Sequence, residues 1–155
     1  MADSLESLLD ILDLEQIEED LFRGRSPETR LQRTFGGQVV AQALTAAGRT
    51  VPESRILHSM HAYFLRPGDP EMPIVYAVDR SREGRSFSTR RIVARQHGRQ
   101  IFAMSASFQI AEGGLEHKDP MPAVSDPDTL PTLDKPAVID GTTQAGATVN
   151  TASTG

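Results

Sequence analysis

Leu5, Leu8, Leu9 and Leu12 recur at spacings of three and four, and Asp3 with Glu6 has the outline of a capping box, so the pattern predicts a short amphipathic helix. Its apolar face has to dock on something. From Leu14 to Arg25 the pattern is irregular, with Phe22-Arg23-Gly24 and Ser26-Pro27 reading as a strand end and a turn. Residues 38–48 are strong helix formers ending in Gly48 and are apolar on most faces, which predicts a buried helix. Its polar side chains Gln38, Gln42 and Thr45 form one narrow stripe, either facing solvent or lining a polar slot. Strand-like runs follow at 55–65, 73–80, 86–96 and 100–110, the last two connections being short and Gly-containing. One helix and at least four strands, the last three a meander, predict an α+β layer: an antiparallel sheet with a buried helix on its concave face. Unpaired edges of that sheet predict dimerisation through sheet or helix.

Composition sets a boundary on this core. All eight Phe and Tyr residues lie between Phe22 and Phe108. Residues 1–111 balance 14 Arg against 14 acids, whereas residues 112–155 hold 2 Lys and 7 acids, the whole formal charge of −5. The second segment also carries Pro120, Pro122, Pro127, Pro131 and Pro136 and loses all periodicity, so it reads as linker and disordered tail after a domain over 1–111. The 155 residues include no Cys, which excludes a disulfide scaffold and a Cys nucleophile. No run approaches the roughly 18 apolar residues of a membrane span, and the acidic start lacks the charge of a signal peptide, so the expected compartment is cytoplasmic. The absence of a basic excess argues against a nucleic-acid partner.

Candidate chemistry begins at Phe35-Gly36-Gly37-Gln38, where two glycines stand directly before the buried helix. A helix N-terminus offers unpaired N–H groups and partial positive charge, and Gly lets a carbonyl approach the backbone, so Gly36, Gly37 and Gln38 read as an oxyanion-type site or as a tight turn under the sheet. The helix carries no Asp or Glu between Gln38 and Gly48. His58 and His61, three apart on one strand, should point to opposite faces, and His58 is the candidate general base. Their spacing and the lack of a nearby acid speak against a metal site. The series from Arg80 to Arg99 offers guanidiniums for phosphate, with Arg90 and Arg91 the candidates, on opposite sides of their strand. No Gly-x-Ser-x-Gly elbow occurs, so a Ser-His-Asp hydrolase is disfavoured.

Five motifs in order carry a resemblance: Leu-Phe-Arg-Gly at 21–24, Phe-Gly-Gly-Gln-Val-Val-Ala-Gln-Ala-Leu at 35–44, His-Ser-Met-His-Ala-Tyr-Phe-Leu-Arg-Pro-Gly-Asp at 58–69, Arg-x-Gly-x-Ser-Phe at 82–87 and Phe-x-Met-x-Ala-Ser-Phe at 102–108. From about Leu5 to Leu133 the chain resembles the N-terminal half of the acyl-CoA thioesterase II family. That resemblance implies a hotdog fold, in which an antiparallel sheet wraps a long helix, and hydrolysis of fatty acyl-CoA to fatty acid and CoA without a cofactor. It also implies that Gly37 and Gln38 line the pocket. In that family the catalytic Asp and its Thr or Ser and Gln partners lie in a second repeat, so none of the three can be placed here. The tail after Leu133 does not look like the family's linker and reads as a truncated, divergent or frameshifted end. The expectation is therefore a thioesterase-family chain that acts as a homodimer or with a hotdog partner, or else a non-catalytic acyl-CoA-binding or assembly module.

Overall fold

The computed structural model describes residues 2–27 and 32–129. The expected tail beyond them, residues 130–155, lies outside the described residues, as do the side chains of the Asp3 capping box. The chain divides into two units, Met1–Gly114 and Leu115–Gly155. In the second unit the described residues contain one 3-10 turn at Pro127–Thr129, whose Thr129 N–H returns to Asp126 O.

The first unit opens with helix α1 (Ala2–Leu12), followed by strands β1 (Glu15–Glu18) and β2 (Leu21–Gly24) where the sequence pattern predicted only a strand end. A period-two signal is illegible in strands of four residues. The pair is closed by Asp20 at φ 60, a left-handed conformation that Asp tolerates, and the Asp20 carboxylate takes a forked pair of bonds from Arg80. Helix α2 (Gly36–Gly48) comes next, then β3 (Arg55–Phe64), β4 (Ile74–Glu83), β5 (Phe87–Gln96) and β6 (Arg99–Ile110).

All six strands form one antiparallel sheet in the order β1-β2-β4-β5-β6-β3. One face lies on α2. Alternate residues of β4, β5 and β6 point into that face, where Tyr76, Ile92, Phe102 and Phe108 meet Val39, Ala43, Ala46 and Ala47 of the helix. The small residues on α2 let the helix axis approach the sheet closely.

One expectation needs correcting, and one pair of alternatives is decided. The apolar face of α1 is not covered by the described residues, since Leu5, Leu8 and Leu9 are exposed, while the end of the helix reaches the body, where Ile11 O accepts from Gln42. The polar stripe on α2 is not a solvent face either. Gln42 is fully buried, donates to Ile11 O and Arg25 O at 2.8 Å each, and accepts from the Tyr76 hydroxyl at 2.8 Å. Burial holds the Tyr76 phenol far above its ordinary pKa, so it stays a neutral donor.

Candidate functional site

Helix α2 starts without a side-chain cap. Phe35 occupies the N-cap position with extended backbone, and its carbonyl takes the N–H groups of Gln38 and Val39. The N–H groups of Gly36 and Gly37, one turn from any acceptor of their own helix, stand at its positive end. Both positions are crowded: a Cβ on Gly36 would sit 3.1 Å from the Phe64 ring, and one on Gly37 would sit 2.4 Å from Phe35.

A cavity of about 360 Å³ opens beside this helix end, lined by Arg33, Thr34, Gly36, Val39, Phe64, Arg66 and Phe102 among others. Thr34 is tied to the far wall by its N–H to Gly68 O at 2.9 Å, while its buried hydroxyl has no partner among the described residues. Among the described residues the lining contains no Asp, Glu or His. This arrangement can hold an apolar group against Val39, Phe64 and Phe102 and present N–H dipoles to a carbonyl; it holds no group that accepts a proton at neutral pH.

The residues expected to act together are distributed as follows. Gly36 borders the cavity, but Gln38 turns away from it, donating to Arg25 O and Ser26 Oγ at 3.2 Å each. The prediction that His58 and His61 face opposite sides fails because a β-bulge between Leu57 and Ser59 inserts an extra residue just there. His58 lies 2.8 Å from Ser107 Oγ and edge-on to Phe87, while His61 lies against Tyr63 and pairs with Ser105. Both therefore stand on the sheet face turned away from α2, and the structure does not bring His58 to the helix end.

Arg90 is likewise corrected. It lies on the inner face, fully buried, with donors spent on Thr50 Oγ1 at 2.7 Å, Thr50 O at 2.8 Å, the carbonyls of Arg82 and Thr89, and the Glu83 carboxylate. Hydrogen bonds from Ser88 and Arg90 hold the Glu83 carboxyl below its ordinary pKa. A phosphate cannot reach this guanidinium. Arg91 is exposed on the opposite face, beside a separate cavity of about 400 Å³ with His61 and Tyr63. Among the described residues no three His, Asp or Glu side chains are grouped to hold a metal.

The cavity residues that the sequence reading passed over are Arg33, Thr34, Phe64 and Arg66. Phe64 and Arg66 belong to the quoted run at 58–69, but nothing in a linear pattern shows that the end of β3 folds back beside the start of α2.

Comparison with known proteins gives a consistent picture. The family model described as the acyl-CoA thioesterase N-terminal domain matches residues 25–109. The chain is 51% identical over 128 residues to acyl-CoA thioesterase 2 of Haemophilus influenzae, covering 83% of this chain and 45% of that protein. The crystal structure of the acyl-CoA thioesterase II TesB2 from Mycobacterium marinum superposes with a TM-score of 0.71 at 52% identity, over 80% of this chain and 47% of that one. A protein of unknown function with a hot dog fold from Alicyclobacillus acidocaldarius superposes at 0.67 with 25% identity, over 84% of this chain and 50% of that one. The expected hotdog fold is thus observed, and the chain spans half or less of the length of these relatives.

Proposed function

Since this chain belongs to the acyl-CoA thioesterase N-terminal domain family, we propose that it serves in hydrolysis of fatty acyl-CoA to fatty acid and CoA as one hotdog unit of a two-unit site. The observation that carries this reading is the uncapped start of α2, where Gly36, followed by Gly37, borders a cavity walled by Val39, Phe64 and Phe102. In the reaction, water adds to the thioester carbonyl carbon, the carbonyl oxygen takes up negative charge, and the C–S bond then breaks to release the CoA thiol. N–H groups of Gly36 and Gly37 stabilise the developing oxyanion without reorganising, because the helix fixes them beforehand. Gln38 supports this turn through its bonds to Arg25 and Ser26.

The base that takes the proton from water comes from outside this cavity. His58 faces away from α2, so the group is supplied by a second hotdog unit. Strand β3 is one of the two edges of the sheet and exposes Ile56, Leu57, Met60, Tyr63 and Phe64, an apolar edge with unpaired backbone groups that fits such an assembly. The reading takes residues 1–111 as the hotdog unit, with 112–155 as linker and tail, and places the protein in the cytoplasm. No helix among the described residues is long and apolar enough to cross a membrane. Recovery of the tagged full chain in a membrane or organelle fraction would contradict the cytoplasmic placement.

CoA release from a panel of short to long acyl-CoAs, followed with a thiol-reactive dye, tests the activity, and the Cys-free chain adds no signal of its own. Release is expected from the dimer-sized fraction and should survive His58→Ala. A second reading, a non-catalytic acyl-CoA-binding or assembly module, is favoured by the absence of any Asp, Glu or His from the cavity lining. Saturable binding without release would select it.

A further inference from the structure

The cavity at the start of α2 does not end at Arg66. A second cavity, of about 470 Å³, shares Arg66, Pro67 and Ile101 with the first and continues to His97 and Arg99, so the two form one groove. Its character changes along its length. The helix end is walled by Phe64 and Phe102, whereas the far end carries Arg66 and Arg99, and Arg33 stands on the rim beside the helix.

The far end is held in shape by the backbone. Residues 97 and 98 form a two-residue hairpin turn in which both φ are positive, 49° at His97 and 70° at Gly98, and this turn sets Arg99 at the start of β6. Arg66 is fixed across the same strand end, its Nη1 donating to Gln100 O at 2.7 Å and its backbone N–H to Ile101 O at 3.1 Å. Asp69 is the one acid in the lining of this groove, and it is already engaged by His97 at 2.9 Å and by the Glu71 N–H at 2.9 Å. Among the described residues Arg33, Arg66 and Arg99 have no carboxylate partner, a state they share with Arg25, Arg82, Arg85, Arg91 and Arg95. Arg66 and Arg99 both line this far cavity, and guanidiniums offer the forked donors that phosphate oxygens take.

We propose that this groove is the phosphate-holding end of the acyl-CoA site, with Arg66 and Arg99 binding the phosphates of the CoA nucleotide. The assignment rests on the acyl-CoA reading above and replaces Arg90 and Arg91, one buried and the other on the opposite face. Along β6, Arg99 and Phe102 are roughly 10 Å apart at about 3.3 Å per residue. The pantetheine arm lies along that stretch, past Ile101, and delivers the thioester to the apolar end beside Gly36.

The test is calorimetric titration of the full chain with CoA, and with pantetheine as the phosphate-free probe. CoA is expected to bind saturably, more weakly as NaCl is raised, and Arg99→Glu should weaken it at least tenfold while leaving pantetheine binding unchanged. Arg99 is exposed at a strand end, so the variant should keep the wild-type melting transition. Arg85→Glu makes the same change in net charge at the β4–β5 turn and should leave CoA binding as it is. Undetectable CoA binding by the wild type, equal affinity in Arg99→Glu, or an equal loss in Arg85→Glu would overturn the assignment. Arg99-dependent CoA binding without CoA release from any acyl-CoA would select the non-catalytic reading for the chain on its own and leave the phosphate site standing. Release whose KM is untouched by Arg99→Glu would do the reverse.

Discussion

Gln42 joins three elements through one amide, binding Ile11 O at the end of α1, Arg25 O after β2 and the Tyr76 hydroxyl on β4. A side chain held at both ends cannot yield, and a Cβ placed on Gly24 would come within 2.4 Å of its Oε1. Gly24→Ala is therefore expected to cost about 1–3 kcal/mol, read as a lower urea midpoint at unchanged slope. Tyr76→Phe removes the donor to a fully buried oxygen and should cost about 1–2 kcal/mol in the same measurement. Gln42 was visible in the sequence as part of a polar stripe. Its burial was not, because the carbonyls that satisfy it come from segments 17 and 31 residues away. Arg90 misled for a related reason: residue type proposed a phosphate ligand, whereas the fold places it on the inner face with Thr50 and Glu83 as partners. The carboxyl of Glu83 has its pKa lowered in the fold by Ser88 and Arg90, so its contribution is present above the unfolded carboxylate range and is lost as pH falls through the lowered value. Glu83→Gln should flatten that acid-side loss of stability, seen in melting temperatures collected from neutral to acid pH.

At the scale of elements, the buried helix and the β4-β5-β6 meander were legible because each repeats one period over ten or more residues. The hairpin of β1 and β2 was not, since four residues are too few to show alternation. On β3 the period-two rule broke at the bulge between Leu57 and Ser59, which moved His58 to the face it shares with His61. That displacement is the physical ground for expecting His58→Ala to keep CoA release. The same strand carries the exposed apolar edge, with Met60 at 45% and Tyr63 at 62% exposure. A charge on such an edge disfavours edge-to-edge pairing. Met60→Lys is accordingly expected to shift the chain from dimer toward monomer in sedimentation velocity, while an unchanged dimer would place the contact elsewhere.

For the whole molecule, the order and spacing of five motifs made the fold and family legible, and the family model over residues 25–109 and the superposition on TesB2 support them. The division of labour within the site was much less legible, because it depends on the end of β3, the start of α2 and the β5–β6 turn meeting in one groove. The central claim is that the start of α2 polarises a thioester carbonyl, and it holds whether or not this chain turns substrate over by itself. It is tested most directly by the carbonyl stretching frequency of a bound, ¹³C-labelled acyl-CoA ketone analogue, in which a methylene replaces the thioester sulfur. A shift to lower frequency than in water is expected, and it should disappear in Gly37→Val, whose side chain would crowd the helix end. A bound analogue with the same carbonyl frequency as in water, or a shift that survives Gly37→Val, would contradict it.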